Sequence, residues 1–595
     1  MIRRYAEELS EAVQKRLAVA YQSKGLLAFG LRARLREGYT VKDFRADLIA
    51  AVVVGVVALP LSMALAIASG VPPEYGLYTA IVAGIACALL GGTRYQVTGP
   101  TAAFVVILAP IVQASGVGGL LVAGLMAGVI LVVMGLARLG KLMELMPHPV
   151  TSGFTMGIAT VIGLLQLKDL LGVHLPTMPT LEYLGALWDA RGGISGWDLG
   201  TGAVTIALLF ALPKMSRRIP APLVALTAIA FGVWLLGHVA PADWHVHIDT
   251  IGTRFSYPLG GGEFGHGIPP LPPRPVLPWR EHGLALDYHT IRELVPAAFA
   301  IAMLGAIESL MAAVVADGMS GSRHDPNAEL LALGIGNILC PFFNGIAATG
   351  ALARTATNIR AGARSPLAAA MHAVFVLACT IALAPLVSYL PMAGLAGLLV
   401  VVAINMSEAR HFVRLLKVAP RHDVLVMLTC FGLTVAFDMV IAVTVGIVLA
   451  ALLFMRRMSV LTKTELETDT AITADAPPGV RIYEIAGPLF FGAAKSAMHA
   501  LHASGDADRV YILDMRRVPV MDVTGLVALE SALDRLHRSK IKVIFAGLTD
   551  EVSSFLERAG IKREAGKIAY APDVETAISM AIVHTARIVK PVIAA

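Results

Sequence analysis

The sequence predicts an α-helical polytopic membrane protein with a small α/β domain at its C-terminus. Of its 595 residues, 56% are hydrophobic and only 15% are charged, whereas a soluble domain carries about 25% charged residues. Apolar stretches long enough to cross about 30 Å of hydrocarbon recur between Asp47 and Met458. After that point short β-like runs alternate with helical ones. This composition excludes disordered, disulfide-rich secreted and nucleic-acid-binding proteins.

The apolar region divides into fourteen segments, seven before a long loop at 241–291 and seven after it. Two of them are too short or too polar to cross alone and are predicted to be broken helices, at 97–113 and 347–359. The other twelve lie near 47–69, 75–92, 117–138, 147–169, 199–216, 220–240, 293–316, 328–344, 366–389, 393–406, 421–437 and 438–456.

Lys and Arg residues concentrate in alternate connections, which is the positive-inside pattern of a multi-pass membrane protein with both termini in the cytoplasm. This pattern accounts for the net charge of +6. We therefore expect a cytoplasmic N-terminal segment (1–46), a transmembrane domain (47–458), and a linker with a cytoplasmic α/β domain (459–595).

The two broken segments each open on a Thr-Gly pair. A helix that starts inside the membrane offers free N–H groups and the positive end of its dipole, so two such starts facing each other would bind an anion. Close packing through small residues is the alternative, and the match between the two halves favours the site. The predicted substrate-binding residues here are Thr98, Gly99, Pro100, Thr101, Ala102, Thr349, Gly350, Ala351 and Arg354.

Glu308 stands in the middle of an apolar span, where acidic residues are costly and usually functional. Beside an anion site it would take up a proton together with the substrate, although a structural hydrogen bond is the alternative. Ala312, one turn later, offers no oxygen for sodium. Ser62 follows Pro60 in the first span and either reaches the pocket or belongs to a packing kink.

In the C-terminal domain, Asp522 is predicted to cap a helix whose first turn exposes the hydroxyl of Thr524, a position that favours a phosphate.

No pair of nucleophile and base appears, so the sequence does not predict an enzyme. The four cysteines lie far apart in apolar stretches and are interpreted as packing residues. Nothing in the sequence predicts a metal, a cofactor or a nucleic-acid partner.

Four long stretches resemble the SulP family, the sulfate permeases related to solute carrier family 26: LIAAVVVGVVALPLSMALAIASGVPPEYGLYTAIVAG, GGTRYQVTGPTAAFVVIL, GAIESLMAAVVADGMSG and GIAATGALARTATNIRAGARSPLAA. The C-terminal part resembles a STAS domain. The resemblance implies a seven-plus-seven inverted repeat divided into a core and a gate domain, with an anion site between the third and tenth segments. It also implies a homodimer, elevator-like alternating access and location in a bacterial inner membrane.

Within the family, stretches such as AMLGAIESL, AINMSEA and GPLFF resemble the DauA (YchM) type, which carries C4-dicarboxylates such as succinate, fumarate and aspartate. This implies proton-linked symport. Sodium-using bicarbonate carriers of the family have hydroxyl residues where this sequence has Ala312 and Leu352. Some members have an acid where Leu61 stands, and the regulatory serine of STAS domains matches Thr524.

The sequence leaves open the transported anion, the coupling ion and the class of protein. The transported anion could be sulfate or bicarbonate, with sodium coupling or none, or the protein could exchange anions. An anion channel and a scaffold that binds a cytoplasmic partner through the STAS domain are the candidates from other classes.

Overall fold

The computed structural model describes the chain in two compact units, Met1–Ile447 and Val448–Ala595. It describes residues 27–143, 146–175, 180–215, 220–239, 241, 247–260, 263–437, 439–461, 463–466, 476–490, 494, 497–498, 501 and 508–589. Most of the predicted N-terminal segment (1–26) and part of the predicted linker therefore lie outside the described residues. The predicted domain boundary at 458/459 lies within one helix, Met439–Leu461.

The first half of the membrane unit is built from helices and one very short strand. Its elements are α1 (Phe29–Arg36), α2 (Val41–Ala68), α3 (Pro73–Leu90), β1 (Thr98–Gly99), α4 (Ala102–Leu136), α5 (Gly140–Met143), α6 (His148–Leu165), α7 (Leu167–Leu170), α8 (Thr180–Asp189), α9 (Gly196–Met215) and α10 (Ala221–Val239).

A small hairpin and two short helices connect the halves, and the second half repeats the pattern of the first. The connection holds α11 (Ile251–Arg254), β2 (Ser256–Gly260), β3 (Glu263–His266) and α12 (Pro278–Glu281). The second half holds α13 (Tyr288–Ser320), α14 (Pro326–Leu339), β4 (Thr349–Gly350), α15 (Leu352–Arg360), α16 (Leu367–Val387), α17 (Met392–Ser407), α18 (Ala409–Val418), α19 (Arg421–Ala436) and α20 (Met439–Leu461).

Every one of the fourteen predicted segments overlaps a helix. Within the described residues, nine helical stretches are long and apolar enough to cross a membrane. The third and fourth segments are joined in α4, where Gly116 at φ 69° breaks the helical backbone between them. Glycine suits this break because it adopts positive φ without steric cost. Helix α18 was not among the predicted elements.

Helix α4 packs against α13 and α14, and its contact with α14 is made through glycine. A Cβ on Gly128 would lie 2.7 Å from the carbonyl oxygen of Gly334, and a Cβ on Gly334 would lie 2.7 Å from that of Gly128. The two backbones therefore approach more closely than any side chain would allow. Gly128 therefore serves helix packing, whereas a Cβ on Gly124 would meet nothing closer than 3.9 Å.

The C-terminal unit has a five-stranded sheet in the order β5-β6-β7-β8-β9, in which β5 (Lys463–Leu466) is antiparallel to β6 (Val480–Ala486). The remaining neighbours are parallel, and their strands are β7 (Val510–Arg517), β8 (Lys542–Ala546) and β9 (Ile568–Ala571). Helices α21 (Val523–Arg538), α22 (Asp550–Arg558) and α23 (Val574–Val589) accompany the sheet. Separate apolar clusters cover its two faces. The prediction of a C-terminal α/β domain is confirmed.

Candidate anion-binding site

The two half-helices meet through a pair of two-residue strands. Strands β1 and β4 are antiparallel, with Thr98 opposite Gly350 and Gly99 opposite Thr349. The amide of Ala351 also donates a hydrogen bond to the carbonyl of Val97 at 2.8 Å. Because the strands run in opposite directions, α4 and α15 lead away from the pair in opposite directions, with their N-termini close together.

The residues that precede these helices leave the first N–H groups available. Thr101 precedes α4 and Ala351 precedes α15, and neither side chain caps its helix. The first N–H groups of a helix have no partner within the helix, and they carry the positive end of its dipole. Two uncapped starts at one place would therefore favour the binding of an anion.

A cavity of about 680 Å³ opens at these helix starts. Seven of the predicted residues line it: Pro100, Thr101, Ala102, Glu308, Gly350, Ala351 and Arg354. The opposite wall comes from α6, α17 and α18, and its polar lining residues are His148, Thr151, Ser152, Thr155, Asn405, Ser407, Glu408 and His411.

Four predicted residues lie outside the cavity lining. The Thr349 hydroxyl is buried and donates to the carbonyl of Gly305 at 3.0 Å, which ties β4 to α13. Thr98 and Gly99 are buried in the strand pair. Ser62 is buried on α2, whose Leu61 and Leu65 face the cavity instead. These four residues do not line the cavity, so their direct contact with the substrate stays a prediction.

Arg354 places a guanidinium at the junction of the two half-helices. Its residue surface is only 2% exposed, and its Nη2 donates a hydrogen bond to the carbonyl of Pro100. Its Nε and Nη1 have no hydrogen-bond partner among the residues that the structure describes. A buried cation with unused donors requires compensation. A bound anion would supply it.

Gly99 makes room for this guanidinium. A Cβ at position 99 would lie only 2.6 Å from Nη1 of Arg354. The glycine of the first Thr-Gly pair is thus explained by the space that the arginine needs.

Glu308 lines the same cavity from α13. Its Oε2 accepts a hydrogen bond from the Thr101 hydroxyl at 2.8 Å. That hydroxyl stands at the N-cap position of α4, and it contacts Glu308 instead of capping the helix. No cation among the described residues pairs with Glu308. Through its hydrogen bond with Thr101, the carboxyl contacts the helix start that would bind the anion.

A second buried acid, Glu329 on α14, was not predicted from the sequence. It is 2% exposed, and its Oε2 accepts from the amides of Gly92 and Thr93, at 3.0 Å each, and from the Thr93 hydroxyl at 2.8 Å. Its Oε1 accepts from Nε2 of Gln96 at 2.8 Å. The carboxylate therefore holds the turn that leads into β1. An acid inside the predicted span 328–344 was a signal for such a role.

Replacing Glu329 with glutamine should destabilise the protein, because the amide group would face donors that need an acceptor. We expect a loss of about 1–3 kcal/mol, typical of a buried donor left without its partner. Thermal unfolding in detergent measures the change. Glu293→Gln, at an exposed glutamate on α13, should leave the melting temperature unaltered, and an equal loss in both variants would contradict the role of Glu329.

In the C-terminal unit, Asp522 precedes α21 and its Oδ1 accepts from the amide of Gly525 at 2.7 Å, as a helix cap. Thr524 is exposed in the first turn. The structure therefore places both residues where the sequence predicted them, and the regulatory role of Thr524 stays a prediction.

The two halves of apolar helices, the paired half-helices and the buried arginine are the features expected of a multi-pass membrane transporter for anions rather than of an enzyme. The family comparison identifies it further: residues 44–430 match the sulfate permease family, and residues 471–577 match the STAS domain. The chain belongs to the sulfate permease family.

Two relatives and one solved structure illustrate the similarity. The chain is 39% identical to "Putative sulfate transporter YvdB" of Bacillus subtilis, over 89% of this chain and 96% of that protein. It is 30% identical to "Bicarbonate transporter BicA" of Picosynechococcus, over 87% of this chain and 91% of that protein. The structure of SLC26A9 matches its fold with a TM-score of 0.79 at 19% identity, over 96% of this chain and 95% of that one.

Proposed function

We propose that the protein takes up a small divalent oxyanion, sulfate or a C4-dicarboxylate such as succinate, together with a proton. The observation that carries this proposal is the buried guanidinium of Arg354, a cavity-lining residue whose Nε and Nη1 have no hydrogen-bond partner among the described residues. The name of the YvdB relative supports sulfate, and the sequence stretches that resemble the DauA type are the reason for including dicarboxylates.

Binding of the anion would neutralise the guanidinium of Arg354 and the positive dipole ends of α4 and α15. One carboxylate or sulfate group would accept hydrogen bonds from Arg354 and from the first amides of α4 and α15. Guanidinium groups suit such oxyanions because their N–H groups donate charge-assisted hydrogen bonds. The cavity of about 680 Å³ also has room for a four-carbon diacid.

Glu308 would couple the proton to the anion. A charged carboxylate beside the anion site would repel the substrate, and protonation of Glu308 removes that repulsion. Its hydrogen bond with Thr101, at the start of α4, supports a protonation step next to the binding step. Sodium is disfavoured because Ala312 is fully buried without an oxygen ligand in its side chain, and Leu352 presents an apolar chain to the cavity.

Transport would proceed by movement of the wall that carries α4, α13 and α15 against the wall formed by α6, α17 and α18, since the cavity lies between them. This is the elevator type of alternating access. Homodimer formation, cytoplasmic termini, an inner-membrane location and a cytoplasmic partner for the STAS domain belong to the same proposal.

Bicarbonate is the second candidate substrate, and the BicA relative, which covers most of the chain, favours it. The helix starts and Arg354 would bind this smaller anion through the same donors. The coupling ion distinguishes the two candidate functions, because a bicarbonate carrier that uses sodium would not respond to a proton gradient.

Uptake of labelled substrates into liposomes tests the proposal. With an inward proton gradient we expect saturable uptake of sulfate or succinate, and uptake should fall severalfold when the gradient is collapsed. The panel should contain sulfate, succinate, fumarate and bicarbonate, each with and without sodium. Absence of saturable uptake of sulfate and both dicarboxylates would reject the proposal, and sodium-dependent bicarbonate uptake alone would establish the second candidate.

A further inference from the structure

Helix α18 presents three cations on one narrow face. Arg410, Arg414 and Lys417 are spaced four and three residues apart, so they share a side of the helix. All three are exposed, and none forms an ion pair with a residue that the structure describes. A row of unpaired cations on one helix face is an electrostatic surface for anions.

The opposite face of α18 is anchored in the protein. Phe412 is 7% exposed and its ring lies 5.9 Å from that of Phe431 on α19. Phe412 and His411 also line the transport cavity. The orientation of the helix is therefore fixed, with the cations pointing away from the core.

The position of α18 in the chain, between two predicted spans, indicates where it lies relative to the hydrocarbon. It follows α17 after the left-handed residue Glu408 and ends before Pro420, where α19 begins. Both neighbours are predicted spans, so the ten-residue helix between them is expected at the membrane boundary.

Two exposed valines flank the cations on the helix surface. Val413 is 47% exposed and Val418 is 75% exposed. Apolar side chains beside Lys and Arg on an interfacial helix suit the acyl region and the phosphate region of one lipid molecule. The acids near this helix are Glu408 and Asp423, and Asp423 already lies 3.8 Å from His422, so the cations remain in excess.

We propose that the face formed by Arg410, Arg414 and Lys417 is a binding site for the headgroup of an anionic phospholipid. The phosphate would contact the cations while the acyl chains lie against Val413 and Val418. A soluble acidic protein would match the cations but not the exposed valines at the hydrocarbon edge. This site is independent of the transported anion, because it lies on the side of α18 that faces away from the cavity.

Native mass spectrometry of the full-length protein in detergent tests this site, with phosphatidylglycerol and phosphatidylcholine of identical acyl chains as the probes. We expect phosphatidylglycerol to bind at least about tenfold more tightly. The triple variant Arg410→Gln, Arg414→Gln and Lys417→Gln should weaken its binding on the order of 100-fold, since each cation near an anionic surface contributes about fivefold.

A matched variant removes three exposed cations elsewhere, namely Arg538→Gln, Arg558→Gln and Lys562→Gln in the C-terminal unit, and it should bind phosphatidylglycerol like the unmodified protein. The variant Arg410→Lys with Arg414→Lys keeps the charge and should retain affinity within about threefold. Equal loss in the two triple variants, equal binding of both lipids, or loss of binding in the lysine variant would each overturn the proposal. A thermal unfolding curve for each variant establishes that it is folded.

Discussion

Arg354→Gln should reduce the uptake rate at low substrate concentration by at least about 100-fold, since hydrogen bonds to charged groups contribute roughly 1.5–3 kcal/mol each. The guanidinium is almost wholly buried, and two of its nitrogen atoms, Nε and Nη1, lack partners among the described residues. Glutamine removes the charge and shortens the side chain. The measurement is initial uptake of labelled sulfate and succinate into liposomes.

Two further variants separate substrate binding from folding. Arg354→Lys keeps the charge but lacks the planar pair of donors, so we expect partial activity, about tenfold below the unmodified protein. Arg360→Gln removes an exposed cation at the end of the same helix and should leave uptake unchanged. Full uptake by folded Arg354→Gln protein would exclude Arg354 as a substrate ligand.

The spans and the half-helices could be predicted from the sequence because their signals are local. Long apolar runs reveal the spans, and the Thr-Gly pairs at positions 98 and 349 mark where two helices start late. The pairing of β1 with β4 could not be predicted, since two-residue strands have no periodicity. Gly99 likewise appeared only as a small residue, because the guanidinium that it accommodates comes from the other half of the chain.

The hydrogen-bond partners of the buried acids could not be predicted from the sequence either. Glu329 contacts Gln96 across 233 residues of sequence and Thr93 across 236, and no pattern in one sequence connects such positions. Helix α18 was different, because the period of Arg410, Arg414 and Lys417 was visible. The helix was not predicted because its ten residues, which follow an apolar span, resemble a charged loop.

Glu308→Gln should abolish the dependence of uptake on the proton gradient while leaving exchange of substrate across the membrane intact. Glutamine resembles the protonated acid in shape and charge, and its carbonyl can still accept the hydrogen bond that Thr101 donates to Glu308. The variant would therefore be fixed in the form that binds the anion. Net uptake driven by protons requires release of the proton on the other side, which glutamine cannot perform.

Counterflow and gradient-driven uptake in the same liposomes distinguish the two processes. The matched variant is Glu293→Gln, which alters an exposed glutamate on the same helix at 3.5 Å from His289, and it should behave like the unmodified protein in both assays. Gradient-driven uptake that survives in Glu308→Gln would assign coupling to another group. Loss of counterflow as well would mean that the carboxylate itself is needed for binding, which would reverse the role proposed for its protonated form.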